Sequence, residues 1–233
     1  MKFTKSLIKG KFIKRYKRFF VDVELIKEKE IVTAHCPNTG SMKGLIDPGN
    51  EVYLLKNDNP KRKLKYGLEI IKAKNNLVGV NTHMANKIVN HGLSHNLIKQ
   101  LKNNDTIKPE VYYNKETRFD FLIEKNKQKI FLEVKNVTLF RNKETAEFPD
   151  AITTRGSKHL LALIDAIKKG YKSYLLFLVQ IQNIKYFKIA KDIDSEYYKN
   201  FLLAKKAGVI FLVYRCKINH KEIKIEKKLN LIL

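Results

Sequence analysis

Two carboxylates and a lysine sit in the most apolar part of the chain. Glu133 and Lys135 are two apart in FLEVKNVTLF (131–140), and Asp120 lies between Phe119 and Phe121 in RFDFLIE (118–124). Side chains alternate along a strand, so Glu133 and Lys135 share one face. If RFDFLIE pairs with that strand across the short polar KNKQK segment, Asp120 can join them. Burying a lone charge costs on the order of several kcal/mol, so each of these groups needs a partner or a task. One answer is a closed ion-pair cluster. The other is phosphodiester hydrolysis: Asp120 and Glu133 hold Mg²⁺ (or Mn²⁺), and Lys135 orients water or stabilises charge at the attacked phosphate. Glu110 precedes the pair as a further candidate metal ligand. Arg155, Lys158 and His159, in the first turns of a following helix, are placed to face a phosphate.

The composition points to a polyanion. Lys and Arg total 47 against 23 Asp and Glu, a formal net charge of +24. That excess favours a nucleic-acid partner, DNA first with RNA not excluded. Only seven of the cations are Arg, and these mark the forked phosphate contacts that Lys cannot make. RYKRF (15–19) sets Arg15, Lys17 and Arg18 beside Tyr16 and Phe19, a mixture of phosphate contacts and stacking surfaces. Arg62 lies in a second basic run, DNPKRK (58–63). Two cysteines without CxxC spacing give neither a disulfide framework nor a zinc site. No segment approaches the roughly 20 apolar residues of a membrane span, so a cytoplasmic protein with no membrane partner is expected.

The elements that must position these residues divide near residue 82. Residues 1–82 read as five short strands: KFIKRYKRFFVDVEL, EIVTAHC, EVYLL, KLKYGLEIIKA and NLVGVNT. They suggest a small OB-like β-barrel that binds nucleic acid, with HCPNTGSMKG (35–44) as a tight barrel turn. Residues 83–233 read as an α/β domain. Helices are expected over THMANKIVNHG, SHNLIKQLK, TTRGSKHLLALIDAIKKG and DSEYYKNFLLAKKAG. Strands are expected at KPEVYYN, RFDFLIE, KIFLEVKNVTL and SYLLFLVQI, with VIFLVYRC as the last core strand.

Asp-x₁₂-Glu-x-Lys is the pattern of the PD-(D/E)xK nuclease superfamily. RYKRF, HCPNTGSMKG, DNPKRK, VNT-x-x-AN, RFDF, EVKNVTL, FPDA and TTRG-x-KHL follow one another over nearly the whole chain. Together they resemble the sugar fermentation stimulation protein (SfsA) family of bacteria and archaea. The resemblance implies an N-terminal OB-like barrel followed by a PD-(D/E)xK nuclease-like α/β domain with a mixed central sheet. It also implies DNA binding with little sequence preference and a link to sugar (maltose) metabolism. It maps the nuclease-like carboxylates onto Asp120 and Glu133 and the lysine onto Lys135. A DNA-binding regulator with a non-catalytic site stands as the alternative.

Overall fold

The alternating pattern of the first third folds into a closed barrel. In the computed structural model, which describes residues 1–232, five strands run β1 (Ile8–Tyr16), β2 (Phe20–Leu25), β3 (Ile31–His35), β4 (Glu51–Lys56) and β5 (Tyr66–Ala73). Leu233, assigned above to the second domain, lies outside the described residues. The strands pair in the order β3-β2-β1-β4-β5, and a parallel β3–β5 pairing closes the ring. Phe12, Val21, Val23, Val52 and Leu54 fill its interior. Packing there is tight enough that a Cβ on Gly10 would lie 2.3 Å from a Val23 methyl.

Two expectations for this region change. The first expected strand is a hairpin, because Lys17 and Arg18 both take positive φ (47° and 60°) and reverse the chain. NLVGVNT therefore supplies a sixth strand, β6 (Asn76–Gly79), which extends β5 beyond the ring. HCPNTGSMKG is not a tight turn. It begins a long connection between β3 and β4 that reaches the second domain, where Ser41 Oγ donates to the Asp150 carbonyl at 2.9 Å.

The second domain opens with α1 (His83–Ser94). Its centre is a six-stranded mixed sheet in the order β15-β14-β12-β9-β8-β7. These strands are β7 (Thr106–Tyr112), β8 (Arg118–Lys125), β9 (Gln128–Val137), β12 (Lys172–Val179), β14 (Ile210–Ile218) and β15 (Ile223–Lys228). Strand β12, apolar from Tyr174 to Val179, lies between β9 and β14, parallel to both, as its burial on two faces requires. One face packs on α2 (Thr154–Lys168) and α3 (Ser195–Lys206), the other on α1 and on Tyr53 and Ile70 of the barrel. A small second sheet joins β10 (Leu139–Phe140), β11 (Thr145–Phe148), β13 (Tyr186–Ile189) and β16 (Asn230–Ile232).

The helix expected over SHNLIKQLK is absent. Asn96 takes positive φ (56°) just after α1, and only a 3₁₀ turn at Lys99–Leu101 survives, anchored by buried Ile98 and Leu101. VIFLVYRC is β14 and is not the last strand. The charged KEIKIEKK that follows forms edge strand β15, burying Ile223 and Ile225. Among the described residues no helix is long and apolar enough to cross a membrane.

Glu69 on β5 is 5% exposed, its carboxylate accepting from the Asn81 amide at 2.9 and 3.0 Å. Burial pushes its pKa from the ordinary 4.5 up to about 7, against the lowering effects of Asn81 and Lys87. The folded state therefore binds this proton more tightly than the unfolded chain does. The associated stability is complete below pH 4.5 and is lost as pH rises through about 7. Glu69→Gln is expected to match the wild type in urea melts at about pH 4.5 and to exceed it by about 1–3 kcal/mol at about pH 8. Equal stability of the two proteins at the higher pH would refute this.

Candidate active site

The β8–β9 hairpin delivers the central residues. Its two-residue turn, Asn126–Lys127, has φ of 50° and 62°, the left-handed pair that matches strand twist, and it sets Phe121 opposite Leu132. Asp120, Glu133 and Lys135 all line one cavity of about 720 Å³. The expected convergence of the three side chains is what the structure contains.

Their environments differ. Glu133 is 3% exposed, and its Oε1 accepts from Lys135 Nζ at 2.7 Å and from His159 Nδ1. Its Oε2 is buried without a partner. Burial pushes the Glu133 pKa up, but Lys135 and His159 more than offset this and hold it below the ordinary value. Asp120 has no cationic hydrogen-bond partner. Its Oδ2 accepts from the Val134 N–H and its Oδ1 from the Asn86 amide, both at 2.7 Å. Burial first, then the charge of Glu133, push the Asp120 carboxyl up to about 7.

Glu110 stands beside Asp120 across the β7–β8 ladder, with φ at 56°, a region that costs a non-glycine residue energy. It lines the same cavity, yet its carboxylate is taken by Arg118 at 2.9 Å and by Asn86 at 3.2 Å. Among the described residues no group of three or more His, Cys, Asp or Glu side chains is placed to hold a metal ion.

Asn86, which bridges Glu110 and Asp120, was missed as a site residue. Its signal was in the sequence: His83, Asn86, Lys87 and Asn90 recur at helical spacing as a polar stripe, and all four line the cavity.

The nucleic-acid candidates separate. Arg15 is spent on the protein: its guanidinium donates to the carbonyls of Asn38 (2.6 Å), Gly40 (3.0 Å) and Arg18 (2.9 Å). It is a brace for the 38–41 loop and not a free phosphate ligand. His159 is buried against Glu133 and faces no solvent phosphate. Arg155 Nε points at its Nε2 at 3.5 Å, which leaves Nδ1 as the ring's donor. Arg155 itself is exposed and lines the cavity, whereas Lys158 is exposed beyond it. Tyr16, Lys17, Arg18 and Arg62 are exposed on the barrel. Arg18 lines a second cavity of about 540 Å³, and Thr39 lines both.

Comparison with known proteins finds two family models along the chain. A family model described as the SfsA N-terminal OB domain matches residues 13–80, and the sugar fermentation stimulation protein RE domain matches 83–222. Two relatives, each called a sugar fermentation stimulation protein homolog, come from Pelagibacter ubique and Pseudoalteromonas atlantica. The first is 75% identical over all of this chain and 99% of its own, the second 43% identical over all of both. Among solved structures, Pyrococcus furiosus SfsA in complex with Ca²⁺ superposes with a TM-score of 0.89 at 25% identity. That match covers all of this chain and 98% of the other.

The two arginines of RYKRF should therefore behave differently. Arg15→Ala is expected to lower stability by about 1–3 kcal/mol, because it leaves carbonyls without donors, and to expose the 38–41 loop to proteolysis. Arg18→Ala, on the exposed tip, is expected to change stability by less than about 0.5 kcal/mol. Thermal melts and limited proteolysis read both, and equal effects would contradict the assignment of Arg15 as a brace.

Proposed function

The chain belongs to the sugar fermentation stimulation protein (SfsA) family, and from that premise we propose that it binds DNA with little sequence preference and hydrolyses phosphodiester bonds at a site built from Asp120, Glu133 and Lys135. One observation carries the reading: Asp120 and the second oxygen of Glu133 have no cation bound to them. A closed structural ion-pair cluster would share its cation between both carboxylates. Here Lys135 donates to Glu133 alone, Glu133 Oε2 has no partner, and Asp120 rises to about 7 beside it.

Two buried oxygen donors short of positive charge fit a hard divalent cation, which commonly takes one or two carboxylates and completes its shell with water and substrate phosphate. Asp120 and Glu133 would hold Mg²⁺ or Mn²⁺. When bound, the ion supplies Lewis-acid polarisation of the phosphate and lowers the pKa of water. That a 25% identical relative takes Ca²⁺, another oxygen-seeking cation, supports the fit. The protein's own groups do the rest. Asn86 and the Val134 N–H orient the Asp120 carboxylate. Lys135 and His159 pin Glu133 by one oxygen. The Lys135 ammonium brings positive charge to where the attacked phosphate gains negative charge. Arg155 and Lys87, on the cavity lining, are placed to take flanking phosphates. The alternative is a non-catalytic DNA-binding regulator of sugar metabolism, of which the relatives' shared name supports the sugar link.

Asp120→Ala, Glu133→Ala and Lys135→Ala are each expected to lower Mg²⁺-dependent cleavage by about two orders of magnitude or more. In EDTA, filter binding by either carboxylate variant should hold or rise, since a negative charge beside the phosphate is gone, while Lys135→Ala loses one contact. Binding of unrelated sequences should fall alike with salt, by about 10³-fold between 50 and 200 mM if six phosphates are neutralised. Wild type that binds but cleaves no nucleic acid with either metal would hand the site to the regulator reading.

A further inference from the structure

The outer face of the barrel carries aromatic rings that the active site does not use. Tyr16 stacks on Phe20 across the β1–β2 hairpin (centroids 5.5 Å apart, planes 13° apart), and Phe19 stacks on His35 (6.5 Å, 12°). Neither pair is sealed in the core: Phe19 is 44% exposed and Tyr16 38%.

Strand register brings two basic loops to the same place. Phe20 pairs with His35, so the hairpin tip with Lys17 and Arg18 lies at the end of β3. His35 also pairs with Gly67, so the 57–65 loop carrying Arg62 ends there too. The tip is held in a definite shape, since Lys17 and Arg18 occupy a backbone region that is costly for residues with side chains.

The hairpin tip beside the rings also borders a cavity that neighbours the candidate active site. Arg18, next to Phe19, lines the 540 Å³ cavity, and Thr39 lines both that cavity and the one holding Asp120. From the other side, Arg62 and His83 lie close enough to His35 for their charges to lower its pKa, after the larger effect of burial. His83 itself lines the catalytic cavity.

We propose that this strip is a stacking track for single-stranded nucleic acid, with unpaired bases on the Phe19–His35 and Tyr16–Phe20 rings, phosphates on Lys17, Arg18 and Arg62, and the strand continuing past Thr39 to Asp120. The strand's destination rests on the nuclease reading; its binding does not. In a duplex the base faces are covered by neighbouring bases, so exposed rings flanked by cations offer it only their charges. An unpaired base presents a free face, and every base has one, which makes such a track tolerant of sequence.

The test is fluorescence anisotropy in EDTA with the full chain and labelled oligonucleotides of about 12 residues: oligo-dT, oligo-rU and a blunt DNA duplex. Wild type is expected to bind single strands about tenfold tighter than duplex. Phe19→Ala and His35→Ala should each weaken single-strand binding about 5- to 100-fold and duplex binding less than about twofold. Phe19→Trp, which restores a stacking surface, should recover the affinity and so separates stacking from a folding defect. Whichever of oligo-dT and oligo-rU binds tighter while depending on Phe19 names the natural strand. Duplex bound as tightly as single strand, or equal losses on both for Phe19→Ala, overturns the track. Single-strand preference without any metal-dependent cleavage would sink the nuclease reading and leave the track. Duplex cleavage indifferent to Phe19→Ala would do the opposite.

Discussion

A carboxylate that is 3% exposed in the middle of a six-stranded sheet constrains everything around it. Glu133 is tolerated because Oε1 is shared between Lys135 and His159, and removing one partner of such a buried group typically costs about 3–5 kcal/mol. Lys135 comes from the same strand, but His159 comes from α2, so the helix has to sit where its second turn meets β9. Its start is fixed accordingly. Thr153 accepts from the Gly156 N–H at 3.0 Å, and the Thr153 N–H donates to Asp194, which also caps α3. Gly156 lets the two helices close up, since a Cβ there would meet the Tyr197 ring at 3.1 Å. The α2–α3 layer is thus registered on the sheet by polar ties, and apolar packing fills in behind them.

The barrel is tied to the same centre through one short passage, VNT-x-x-AN (80–86). Asn81 holds the buried Glu69 of β5, and the Thr82 hydroxyl donates to the Pro37 carbonyl at 2.7 Å. Asn86 donates to Asp120 and Glu110. Asn38, in the loop braced by Arg15, donates back to the Val80 carbonyl at 3.1 Å. Asn81, Thr82 and Asn86 are therefore committed, the first two to the barrel and the third to the cavity. The 36–50 connection and Asp120 are thus linked by two side-chain hydrogen bonds, Thr82 to Pro37 and Asn86 to Asp120, and by the short stretch of chain between them.

Much of this was legible in the sequence, and the misses have physical causes. Period-two spacing placed Glu133 and Lys135 on one face, and the apolar RFDFLIE and FLEVKNVTLF segments fixed the hairpin that brings Asp120 to them. His159 was read as facing a phosphate, although Gly156, His159, Leu160 and Leu163 fall on the stripe that helical spacing buries. Arg15 was unreadable as a brace because the loop carbonyls it holds, those of Asn38 and Gly40, lie more than twenty residues away, and a carbonyl leaves no trace in residue type. The hairpin tip was missed because Lys17 and Arg18 give no turn signal, whereas glycine or asparagine at positive φ would have done so. Edge strand β15 hid behind its lysines, the residues that keep an edge from pairing with another chain.

On the proposed reading, the distribution of charge is the reason a protein of net charge +24 would still take a cation at its centre. The lysine excess creates a long-range field that attracts a polyanion and is screened beyond about 8–10 Å at physiological salt. It cannot neutralise two carboxylates inside a cavity, where the nearest ammonium, Lys135, is already committed to Glu133. A phosphate arriving at Asp120 therefore meets attraction from the rim and repulsion from the floor. With a divalent ion on the two carboxylates, the floor changes sign while the rim stays as it is. On the proposed reading, the surface charge sets how strongly any nucleic acid is held, and the two buried carboxylates set whether the held phosphate can come close enough to react.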